Sequence, residues 1–247
     1  MSTHTPHEAV AALRAHPQLP DGPDERFAGY GIMGMPFESG HYLALREMVA
    51  SSLGPPYRTV WHREPNGTWT IHTTAAPELS CPRYFGKATA VNQVPHIDVS
   101  WTGEAQLEVN LGDVLHWNIE LASSPATRMM TAMGSAMPMR ALTSAPVLTT
   151  MGPIAGAVLR SGRMRLCGRT PNGPRFRAIP LEVWRVATAE ASHRGRALGR
   201  PAPLDDQTAL GDFWLPQRGL FFVGQARFMP ATASAGDVAI ERAEVSR

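Results

Sequence analysis

Apolar and polar residues alternate with a period of two along much of the chain, most regularly between residues 96 and 122. Ile97, Val99 and Trp101 alternate with His96, Asp98 and Ser100, and Thr102-Gly103 follows as a turn. Leu107, Val109 and Leu111 then alternate with Gln106, Glu108 and Asn110, and Gly112-Asp113 makes a second turn. Leu115, Trp117, Ile119 and Leu121 alternate with His116, Asn118 and Glu120. Three such runs predict an antiparallel meander with one apolar and one polar face. Upstream, Tyr57–Arg63 and Thr68–Thr74 flank Pro65-Asn66-Gly67, a turn whose Asn and Gly tolerate positive φ. A three-residue loop sets Trp61 opposite Ile71 and Arg63 opposite Trp69. Arg58, His62, Thr70 and His72 then fall on the other face.

Between residues 125 and 161 the pattern changes. Met129, Met130, Met133, Met137, Met139 and Met151 accumulate, alternation fades, and Pro138, Pro146 and Pro153 interrupt, which predicts two or three short helices. Strand signals return at Met164–Arg169, Arg175–Ile179, Leu181–Ala187 and Gly219–Phe228. Residues 1–26 are polar and proline-rich, with a short helix around Glu8–His16 that Pro17 stops. Residues 232–247 carry little apolar surface and read as a C-terminal tail. The expected organisation is one domain over 27–231, mainly β: an antiparallel barrel-like or strongly curved sheet with a Met-rich helical insert at about 125–161. In outline this resembles the lipocalin-like (calycin) barrels. The resemblance is carried by the strand patterning over 57–228 and by glycine corners at Gly195, Gly199, Gly211, Gly219 and Gly224. It brings no family motif, so no functional residue is transferred.

Composition narrows the function classes. Of 247 residues 43% are hydrophobic and 18% charged, enough for a packed core and against wholesale disorder. A net charge of +2 argues against a nucleic-acid partner. No basic-then-apolar leader opens the chain, and Cys81 and Cys167 lack metal-type spacing, so a cytoplasmic protein with reduced thiols is expected. Ala141–Leu159 holds 19 uncharged residues and a G-x-x-x-G match at Gly152–Gly156, but its two prolines and four hydroxyl residues favour a core or lid helix over an integral membrane segment. Gly29-Tyr30-Gly31-Ile32-Met33-Gly34 matches G-x-G-x-x-G literally. It lacks the preceding buried strand and the acidic residue about 20 positions on that dinucleotide binding needs, and reads as a glycine-rich loop entering the sheet.

Four tryptophans on apolar strand faces, Trp61, Trp69, Trp101 and Trp117, predict a hydrophobic interior and a cavity that binds a small apolar or amphipathic molecule. The Met-rich helices would cap one end. No cofactor and no metal is expected, since His62, His116 and Glu120 offer no tight ligand spacing. The alternative is a cofactor-independent isomerase, cyclase or lyase using the same cavity. Asp98, His116 or His62 would then move protons, or Lys87, the only lysine, would form a Schiff base if desolvated. Lys87 on an exposed loop and Asp98 and His116 on a solvated face are the bland alternatives. A second alternative is a protein-interaction domain with a filled core; self-association as a homodimer is also open.

Overall fold

The computed structural model describes residues 4–19 and 21–230; the expected tail at 232–247 lies outside them. Ten strands follow one another across a strongly curved sheet: β1 (Glu25–Ile32), β2 (Tyr42–Ser51), β3 (Tyr57–Arg63), β4 (Trp69–Thr73), β5 (Ala90–Gln93), β6 (Asp98–Trp101), β7 (Gln106–Leu111), β8 (Leu115–Ala122), β9 (Arg175–His193) and β10 (Leu220–Met229). Their order in space is β5-β4-β3-β2-β1-β10-β9-β8-β7-β6, with short strands Met35–Pro36, Cys167–Arg169 and Arg196–Ala197 paired alongside. All pairs on this path are antiparallel except β4 with β5, which run parallel. The sheet is therefore mixed, and it forms a half-barrel whose end strands β5 and β6 do not pair. Full closure of the calycin kind is not seen.

Both hairpin expectations hold in register. Trp61 pairs with Ile71 and Arg63 with Trp69; the Asn66 side-chain oxygen accepts the Thr68 N–H at 2.9 Å, and Gly67 takes φ +92°. In the meander Val99 faces Val109, which faces Trp117. Along β8 buried and exposed residues alternate strictly as far as Glu120 and Leu121, as expected for one-sided burial.

The centre of the sheet differs, because both of its faces are covered. One face packs Tyr30, Ile32, Leu43, Leu45, Val60, Trp117 and Phe221 with Ala9 and Val10 of helix α1 (Pro6–Ala15). The other packs Tyr42, Trp61, Trp69 and Ile71 under α2 (Pro82–Phe85) and beside α3 (Pro125–Ala136) and the Phe213 segment. All residues from Tyr42 to Glu47 are buried in consequence. Thr5 caps α1, its hydroxyl and the Glu8 carboxylate forming a capping box, so the helix begins at Pro6, two residues ahead of the expected start.

Two local expectations are corrected. The Gly29–Gly34 stretch lies largely inside β1, not in a loop. A Cβ on Gly31 would come within 2.0 Å of the Leu45 carbonyl oxygen, so the glycines answer to close backbone approach. The strand signals split by Pro180 belong to one 19-residue strand, β9. The register shifts between Pro180 and Glu182, a bulge where the missing proline N–H costs no ladder bond. The Met-rich insert comprises α3, α4 (Met139–Leu142) and α5 (Ala145–Val158). Its G-x-x-x-G match lets α5 approach the chain at 162–166, since a Cβ on Gly156 would meet the Gly162 carbonyl oxygen at 2.3 Å. Among the described residues no helix is long and apolar enough to cross a membrane.

Candidate functional site: an aromatic cavity around a buried arginine

On the α2-covered face, β1, β2, β3, β9 and β10 enclose a cavity of about 70 Å³. Aromatic rings line it, among them Phe27, Tyr57, Trp61, Phe85, Phe213 and Phe222. Phe85 of α2 packs edge-on to Trp61 at 4.7 Å. The lining residues include two arginines, Arg46 and Arg177, but no Asp, Glu, His or Lys, and the Arg177 guanidinium is engaged with the Thr143 carbonyl oxygen.

Arg46 is the chemical centre. Even-numbered residues of β2 from Tyr42 to Met48 face this side, so the strand carries the guanidinium into the apolar face while Glu47 points the opposite way. Arg46 is 5% exposed. Its Nη1 donates to the Leu45 and Ile32 carbonyl oxygens and its Nη2 to the Met33 carbonyl at 2.9 Å. The guanidinium stands over the Trp61 ring at 5.2 Å and the Phe222 ring at 5.5 Å. No ion pair reaches it among the described residues. Burial pushes its pKa down from 12.5 to about 10, leaving it cationic at neutral pH.

The nearest carboxylate in sequence is already engaged. Glu47, on the other face, accepts from Arg14 Nη2 at 2.9 Å, from Arg58 Nε at 2.7 Å and from the Tyr30 hydroxyl at 2.8 Å. Beside Arg46 the Tyr57 hydroxyl lies 3.7 Å from the Cys81 sulfur, which also takes the Thr59 hydroxyl. Burial pushes both the Tyr57 phenol and the Cys81 thiol up, so both keep their protons at neutral pH. The site thus offers a cation, proton donors and an otherwise apolar wall.

The residues singled out from sequence distribute differently. Trp61 lines this cavity and Trp69 belongs to the same apolar cluster. Trp117 and Trp101 sit on the opposite face, where Trp101 stacks on His7 at 5.2 Å. The four therefore do not line one cavity, because the apolar face of the hairpin and that of the meander lie on opposite sides of the curved sheet. The cavity is capped by α2 and Phe213, not by the Met-rich helices. Asp98 is exposed and paired with His96; His116 is exposed beside Asn110 and Glu108. Lys87 is exposed at the end of the α2 loop, so the desolvation that a Schiff-base role requires is missing. His62 is buried on the opposite face, next to His41 and His193.

Arg46 was missed because the apolar run Tyr42–Leu45 shows no alternation. The available signal was an adjacent Arg-Glu pair in a strand-like apolar segment, which places one charge on each face.

No protein-family model matches the chain, and no curated protein matches it. Two solved structures are similar in outline. One, from structural studies of acetoacetate decarboxylase, has a TM-score of 0.39 at 11% identity and covers 93% of each chain. The other, acetoacetate decarboxylase from Legionella pneumophila subsp. pneumophila str. Philadelphia 1, has a TM-score of 0.38 at 11% identity, covering 94% of this chain and 96% of that one. The likeness spans nearly the whole chain but is too loose to transfer an activity or a residue. Neither is a lipocalin-like protein; the barrel-like curvature is the part of the expected resemblance that stands.

Proposed function

We propose that the chain binds a small, mostly apolar molecule with an anionic head, such as a short monocarboxylate, in the Arg46 cavity. The observation that carries this reading is a buried guanidinium without a counter-charge among aromatic rings. A buried charge left unpaired is costly, and an anionic ligand is the partner that such a site lacks. The ligand's apolar body would displace the little water that 70 Å³ admits, about five molecules' worth.

A lyase reading on the same site is favoured by the Tyr57 and Cys81 protons beside the cation. Loss of carbon dioxide from a bound acid breaks its C–C bond and leaves the electron pair on carbon, and either group would supply the proton that forms the new C–H bond there. No base lines the cavity, so removal of a proton from carbon is the less suited chemistry. For the homodimer anticipated from sequence, the exposed Met129, Met139 and Ile154 of the helical insert offer apolar surface.

Titration with butyrate and benzoate, followed by tryptophan fluorescence, tests the binding reading. A saturable change is expected from Trp61, and Arg46→Gln should abolish it without altering the far-UV circular dichroism. No saturable response in the wild type, or the same response in Arg46→Gln, would overturn it.

A further inference from the structure

The concave face opposite the Arg46 cavity holds a second cluster that the proposed binding does not use. His41 directly precedes β2, His62 lies in β3, and His193 ends the long strand β9. The His41 Nδ1 and His62 Nε2 are 2.8 Å apart. The His62 and His193 ring centroids are 4.5 Å apart at 58°, and those of His41 and His193 are 5.6 Å apart at 55°. One nitrogen from each ring falls within 4.8 Å of the other two. We infer that His41, His62 and His193 form a three-imidazole site for one divalent transition-metal ion of the zinc type, with a fourth position left to solvent or an exogenous ligand.

The geometry needs little adjustment. Tetrahedral zinc bonds of about 2.05 Å put ligand nitrogens about 3.3 Å apart. The short His41–His62 contact would open slightly and His193 would close in. Imidazoles bind such ions only as free bases. Burial first holds all three below the ordinary histidine range, His62 down to about 3; repulsion from neighbouring imidazoles adds to it at His41 and His62, and repulsion from Arg194 at His193. Three other groups bear on the cluster. Glu64 raises His41 and His193, Arg194 lowers His62 and His193, and His72 lowers His62. A lone acidic neighbour and an all-imidazole set suit zinc, copper or nickel over calcium or magnesium. His62 is buried while His41 and His193 are partly exposed, so the ion would enter from solvent and keep a labile fourth ligand.

The test is a titration of the chelator-stripped full chain with Zn²⁺ by calorimetry and with Co²⁺ by visible absorption. One equivalent should bind, and Co²⁺ should give the intense bands of a four-coordinate site. His193→Gln and His41→Gln, both at half-exposed positions, should each weaken Zn²⁺ binding by roughly 100-fold. His96→Gln, at an exposed position elsewhere, should leave binding unchanged, and thermal melts of the apo variants establish that all are folded. Absence of a stoichiometric site, or equal binding by the His193 and His96 variants, would overturn the assignment. Neither outcome bears on carboxylate binding at Arg46, which the fluorescence titration reads separately.

Discussion

The Arg46 cavity makes a quantitative prediction about ligand charge. Burial lowers the guanidinium from 12.5 to about 10, so the folded chain disfavours the cation by about 3 kcal/mol at neutral pH. An anion on the guanidinium recovers part of that penalty but gives up its own hydration. A short acid should therefore bind about 10- to 100-fold more tightly than its neutral amide of the same shape. Calorimetry with butyrate against butyramide measures the ratio directly in the unmodified protein. Arg46→Met then removes the charge. It forfeits three hydrogen bonds to backbone carbonyls, at about 1.5 kcal/mol each for a charged donor, and removes a desolvation penalty of about 3 kcal/mol. These effects nearly cancel, so the variant should fold with a stability within about 2 kcal/mol of wild type. Its preference for the acid should vanish. If butyramide binds the wild type as well as butyrate does, or if Arg46→Met keeps the preference, the guanidinium is not the anion's partner and the reasoning fails.

Further outcomes follow from the same packing. Glu47→Gln should cost about 2 kcal/mol in a urea titration. That is less than a fully buried pair would lose, because Arg14 and Arg58 keep some water, and tryptic cleavage after Arg14 should speed up as α1 loosens. Gly31→Ala should destabilise by more than about 3 kcal/mol, since its Cβ meets backbone. Gly195→Asn, at φ +75° with open space around it, should change the urea midpoint by less than about 1 kcal/mol equivalent. Cys81, Tyr57 and Tyr42 are all raised by burial, so the folded chain holds protons that the unfolded chain has lost above pH 9. Stability should therefore fall as pH climbs from 8 to 10; Arg46 opposes this only above its own pKa of about 10. Under native conditions iodoacetamide should label half-buried Cys167 well before Cys81, and a midpoint that rises across that range, or a Cys81 labelled first, would contradict the packing.

How much of this was legible in the sequence depended on how many faces each strand buries. β6, β7 and β8 lie towards one end of the sheet. Leu107, Val109, Trp117 and Ile119 go inward while Asn118 and Glu120 meet water, and the alternation shows. β1, β2 and β10 run through its middle. Tyr42 to Glu47 bury side chains on both faces, so the period-two signal disappears where the candidate site is built. The same geometry reversed the meaning of the hairpin's second face. His62 and His72 read as solvated polar positions, yet the sheet curls over them and leaves them 5% and 7% exposed. Once Leu43 is known to pair with His62, His41 follows as a diagonal neighbour. His193 does not, because Pro180 hides the length of the strand that delivers it. A proline in a strand pattern suggests a break, whereas the bulge at Pro180–Glu182 lets the ladder continue for 13 residues beyond the proline. The Arg46 cavity and the histidine cluster thus share one cause of concealment. Both depend on a sheet curved enough to need glycines at Gly31 and Gly224, whose missing Cβ atoms leave room for the Leu45 and Ile179 carbonyl oxygens. Two of the glycines that mimic a dinucleotide motif, Gly29 and Gly31, are the residues that let β1 approach the backbone of β2 on either side of Arg46.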